Sequence, residues 1–83
     1  MNKVLFPKKD YVKELVRIFK LSKNSQKLVK TLSKYHEKDI AEAITLLTPA
    51  ERQHIYNVLD EHMIAEIFSY LDDTEKYLEE LSL

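Results

Sequence analysis

The chain has 83 residues, 45% of them hydrophobic and eight aromatic, which supplies one small core and excludes a disordered chain. It contains no cysteine, so a disulfide framework, a thiol nucleophile and cysteine-ligated zinc are excluded. The net charge of −1 averages two opposed halves: residues 1–34 hold ten Lys/Arg against two Asp/Glu, and residues 35–83 hold three against twelve.

Glycine is absent altogether. Phosphate-cradling loops, nucleophile elbows and dinucleotide turns need backbone that approaches closely or takes positive φ, which glycine supplies. The composition therefore speaks against an enzyme. No apolar run nears the roughly 20 residues of a membrane span, and no signal peptide is visible, so the expected location is the cytoplasm.

Met1 to Lys9 reads as a short lead-in whose end is marked by Pro7, Lys8 and Lys9. Val12, Leu15, Val16 and Phe19 then recur at i, i+3, i+4 and i+7, the stripe of an amphipathic helix. Asp10 is placed to cap it. The polar run Ser22 to Ser25 breaks the pattern. A second helix follows with Leu28, Val29 and Leu32 inward and Lys27, Lys30 and Lys34 outward. A lysine run of this kind is ordinarily a solvated face. Its functional counterpart is contact with anionic lipid headgroups or an acidic protein surface.

A third helix begins near His36-Glu37-Lys38-Asp39 and presents Ile40, Ala41, Ile44 and Leu47. Thr48-Pro49-Ala50-Glu51 is a capping-box signature with proline at the first helical position, so a fourth helix starts there. Its apolar side is Ile55, Tyr56 and Leu59. Asp60-Glu61-His62 separates it from a fifth helix with the stripe Ile64, Ala65, Ile67, Phe68 and Leu71. Asp72-Asp73-Thr74-Glu75 is a second capping-box signature and opens a sixth helix carrying Leu78 and Leu81. Connections this short make neighbouring helices pack together.

Ile40-Ala41-Glu42-Ala43-Ile44-Thr45-Leu46-Leu47 reappears, 24 residues on, as Ile64-Ala65-Glu66-Ile67-Phe68-Ser69-Tyr70-Leu71. Each copy runs into one of the two stop-and-restart signatures. A period of this size is that of a helical solenoid. The predicted fold is all-α: about six helices in short hairpins, wound as a right-handed, armadillo- or HEAT-like superhelix, with a basic two-helix lead over 1–34. The apolar run Leu81-Ser82-Leu83 lacks the polar outer face of a capping repeat, so more chain or a second copy is expected to cover it, as in a homodimer.

The run His36-Glu37-Lys38-Asp39-Ile40-Ala41-Glu42, with Leu46-Leu47, Pro49-Ala50-Glu51-Arg52, Leu59, Ala65-Glu66-Ile67 and Leu71-Asp72, resembles the intracellular N-terminal domain of MgtE magnesium transporters. That family's hairpins open with His-Pro-x-Asp-Ile-Ala-Glu and continue through Leu-Pro-x-Glu-Arg and Ala-Ala-Glu-Val-Leu. The likeness covers about residues 35–83. Glu37 stands where the family usually has proline, and a glutamate is also well placed in a first turn. The resemblance implies a regulatory domain packed near tandem CBS domains of the same transporter. In that family, acidic residues on both collect Mg²⁺ at the interface, and the bound ions hold the membrane gate closed. The chain would then be the first part of such a domain, touching the membrane only through the full-length protein.

Glu66 matches a family position able to supply a Mg²⁺-binding carboxylate. Because Mg²⁺ keeps most of its water and takes only one or two protein carboxylates, a single glutamate can be half of a weak site shared with another domain. Asp39 is the other acid within the matching motif, where a first-turn charge also explains it. His62 and Glu66, at i and i+4, share a helix side, but two ligands are short of a zinc site. The expected function is a Mg²⁺-sensing domain. A protein–protein scaffold like the helical repeats of flagellar motor switch proteins is the second reading. The acidic half opposes binding to nucleic acid.

Overall fold

The computed structural model describes residues 10–82, and the lead-in Met1 to Lys9 and Leu83 lie outside the described residues. Six helices follow one another: α1 (Tyr11–Leu21), α2 (Ser25–Leu32), α3 (Glu37–Ile44), α4 (Pro49–Val58), α5 (Glu61–Phe68) and α6 (Thr74–Leu81). No strand occurs among the described residues.

Side-chain caps define most of the starts. The Lys13 N–H donates to Asp10 Oδ1 at 3.0 Å, the Lys27 N–H to Asn24 Oδ1 at 3.0 Å and the Met63 N–H to Asp60 Oδ1 at 2.8 Å. At α3 the cap is His36, whose Nδ1 accepts from the Lys38 N–H at 3.0 Å. The first capping box forms in full: the Glu51 N–H donates to Thr48 Oγ1 at 3.2 Å, and the Thr48 N–H donates to Glu51 Oε1 at 2.9 Å.

The second capping box does not form. Asp73 occupies the cap of α6 and its side chain accepts no backbone N–H; the Thr74 hydroxyl instead donates back to the Leu71 carbonyl at 3.3 Å. The link between α4 and α5 is also shorter than the sequence suggests, because Glu61 and His62 already belong to α5 and only Leu59 and Asp60 intervene.

Packing skips one helix at each step. α3 packs against α1 and α5, α4 against α2 and α6, and α1 also touches α4. Odd and even helices thus form two rows. The core between them comprises Leu15 and Phe19 of α1, Leu28 and Leu32 of α2, Ile40, Ala41, Ala43 and Ile44 of α3, and Ile55 and Tyr56 of α4, with Ile67, Phe68 and Tyr77 beyond. Each stripe is an amphipathic helix face removed from water, the main favourable contribution to folding.

Four inward assignments fail. Val29 is 36% exposed, and in α6 Leu78 and Leu81 face outward at 51% and 38% exposure while Tyr77 enters the core. Ala65 is likewise exposed on α5. Tyr77 wins its place because the Phe68 ring lies 6.2 Å from it and the Arg52 guanidinium 5.2 Å above it, so an aromatic face fills that site.

Candidate functional site

The two acids singled out in the sequence sit in different surroundings. Asp60 sets the start of α5, which turns Ile67 and Phe68 into the core and leaves Glu66 outside. The Glu66 side chain is 51% exposed, and its Oε1 lies 3.7 Å from His62 Nε2, the surface pair that the i, i+4 spacing implies. Asp39 is half-buried in the first turn of α3. It borders a groove with Asp10, Tyr11, Val12, His36, Lys38 and Glu42, and Glu66 is not among the residues lining it. Among the described residues no group of three or more His, Asp or Glu is arranged to hold a metal ion. A lone exposed carboxylate such as Glu66 does fit an ion that retains its water and takes one or two protein oxygens.

The other two histidines serve elsewhere. His36 caps α3 and packs edge-on against Tyr70, with ring centroids 5.7 Å apart. His54 is exposed beside Phe19, Lys20, Ala50 and Glu51 in a groove between α1 and α4.

The most organised polar arrangement is centred on Arg52. It is only 4% exposed, the single buried charged residue among the described ones. Its Nε and Nη2 donate to the two carboxylate oxygens of Glu80 at 2.8 and 2.7 Å, the planar fork that arginine forms with a carboxylate. Its Nη1 donates to the Leu47 and Ile44 carbonyls at 2.5 and 3.4 Å, satisfying acceptors at the end of α3. The Tyr56 hydroxyl donates to Glu80 Oε1 at 2.9 Å and the Gln53 amide to the Glu80 carbonyl at 2.6 Å. Three helices therefore meet on one ion pair.

The electrostatics follow. Hydrogen bonds from Arg52 hold the Glu80 carboxyl below its ordinary range, with Tyr56 adding to the effect against the opposing pull of desolvation. Burial pushes the Tyr56 hydroxyl up, helped by the bond to Glu80. This cluster ties α6 to α4 and to the end of α3. The sequence did contain a signal for it. Arg52 lies three and four residues before Ile55 and Tyr56, on the apolar side of α4, where an unpaired charge would be strongly unfavourable.

Among the described residues no helix is long and apolar enough to cross a membrane. No curated protein and no solved structure matches the chain. A family model does: the MgtE intracellular N domain, over residues 35–82, which takes in α3 to α6 together with the Arg52–Glu80 junction and leaves out α1 and α2. With that match extending over more than half of its length, the chain belongs to the MgtE intracellular N domain family.

Proposed function

We propose that residues 35–82 act as a Mg²⁺-responsive regulatory domain, or its first part, in an MgtE-type magnesium transporter. The family match carries this reading. The charge distribution supports it: residues 35–83 bear a balance of −9, and Glu42, Glu61, Glu66, Asp72, Glu75 and Glu79 are all exposed. Against an acidic face of the transporter's CBS domains such a surface is repelled, and divalent ions shared between the two relieve the repulsion. Glu66 supplies a carboxylate to a shared ion, and Asp39 is the second candidate. The alternating contacts α1–α3–α5 and α2–α4–α6 are those expected of stacked helical hairpins, the frame proposed for this surface.

The test is the Mg²⁺ dependence of protease protection in the full-length transporter. Glu66→Gln keeps the shape and removes the charge, so protection should require more Mg²⁺ with the fold unchanged. Asp39→Asn should lower stability by about 0.5–1 kcal/mol through the lost first-turn charge and shift the Mg²⁺ response less. Protection of Glu66→Gln at wild-type Mg²⁺ would remove Glu66 from the site.

A second reading, a scaffold for protein contact without metal, is favoured by one observation: Leu78 and Leu81 stand outward on α6.

A further inference from the structure

The α1–α2 hairpin lies outside the family match, and its charge has no use in the reading above. Lys13, Arg17, Lys23, Lys27, Lys30 and Lys34 are all exposed, and none has a carboxylate partner among the described residues; of the cations on these helices only Lys20 is paired, to Glu51. Arg17, Lys23 and Lys27 border one groove of about 600 Å³ between the two helices, together with Ile18 and Leu21. Leu21 is 69% exposed, so a large apolar side chain projects among the cations.

We propose that this face of α1 and α2 docks on an anionic lipid bilayer, with the cations at the phosphate headgroups and Leu21 entering the interface. Cations beside an apolar group are the composition of an interfacial contact. Five of the six are lysine, a strongly hydrated point charge suited to a diffuse anionic surface. A protein partner with discrete carboxylates would instead favour arginine, since lysine is depleted in protein interfaces and arginine enriched. The charge split also orients the molecule: a −9 half is repelled from the surface that attracts the +8 half, leaving α3 to α6 turned toward the aqueous side. Placement at a bilayer rests on the reading of the chain as part of a membrane transporter, while the docking itself is independent of Mg²⁺ sensing.

The experiment is co-sedimentation of the 83-residue chain with vesicles of phosphatidylcholine alone or with about 30 mol % phosphatidylglycerol, in EDTA so that no Mg²⁺ site contributes. Binding is expected only to the anionic vesicles, and it should weaken steeply between about 0.1 and 0.5 M salt. Each neutralised cation should weaken partitioning about fivefold, so Lys23→Gln, Lys27→Gln and Lys30→Gln together should lower it about a hundredfold. Leu21→Ser, at an exposed position where folding is unaffected, should lower it severalfold at unchanged charge. Equal binding to neutral vesicles, no binding to anionic ones, or equally tight binding to soluble polyglutamate would each overturn the proposal. The last would assign the face to an acidic protein. Loss of Mg²⁺ response in the Glu66→Gln transporter, with vesicle binding of the Glu66→Gln 83-residue chain unchanged, separates the two readings.

Discussion

Arg52 and Glu80, 28 residues apart, form a bidentate ion pair at 2.8 and 2.7 Å that joins α4 to α6, and the same guanidinium closes the end of α3. Their side chains are 5% and 12% exposed, so neither charge can fall back on water if the other is lost. Breaking such a pair from one side is far more damaging than replacing both partners. Arg52→Ala should therefore lower unfolding free energy by about 3–5 kcal/mol, a large share of a small domain's stability. Arg52→Met combined with Glu80→Met should be much milder. Urea denaturation followed by circular dichroism measures both, and equal losses in the two variants would contradict a paired, desolvated charge.

The same junction sets the acid limit. Glu80 is held below its ordinary value of 4.5 chiefly by the Arg52 hydrogen bonds, and Glu51 is held below it by the Thr48 backbone N–H and then Lys20. A depressed carboxyl contributes stability above its unfolded value, and that contribution disappears as pH falls through the folded one. Denaturation midpoints should thus be flat near neutrality and drop below about pH 4.5. Glu80→Gln should flatten that drop while lowering the neutral plateau.

At the alkaline end the direction reverses. The Tyr35 hydroxyl is raised to about 12, first by its hydrogen bond to Glu14, across the contact of α1 with the start of α3. A group whose folded value is raised contributes stability below its ordinary value of 10, and this is lost as pH rises toward 12. Tyrosinate absorbance should show Tyr35 titrating late, and Glu14→Gln should bring it earlier.

The two capping signatures give an internal comparison. Thr48→Ala removes a complete box and should destabilise by about 1 kcal/mol. Asp73→Ala removes a side chain that accepts no backbone N–H and should leave the denaturation midpoint nearly unchanged. Equal effects would mean that the Thr48 hydrogen bond adds nothing to stability beyond what an unbonded cap side chain does.

Leu78 and Leu81, outward on α6, should drive self-association of the isolated chain. Sedimentation at tens of micromolar protein should show a dimer that Leu78→Glu returns to monomer. A wild-type monomer would show that the two exposed leucines do not drive association.

The six helices were legible in the sequence because their cause is local. Apolar spacing near 3.6 residues, Asp10 and the Thr48-Pro49-Ala50-Glu51 box all act within a turn or two, and Leu15, Phe19, Ile40, Ile44, Ile55 and Phe68 are buried as their stripes require. The family was legible for the same reason, since its motif is a run of neighbouring residues. Asp39 and Glu66 could be named from that motif, but their different exposures could not, because each depends on which helix face the neighbouring row covers. Tertiary structure alone decided α6: Tyr77 and not Leu78 or Leu81 turns inward, because Phe68 and Arg52 from other helices shape the site it fills. It alone paired Arg52 with Glu80. Arg52 lies on the apolar side of its own helix, but the carboxylate that neutralises it becomes a neighbour only when α6 packs on α4.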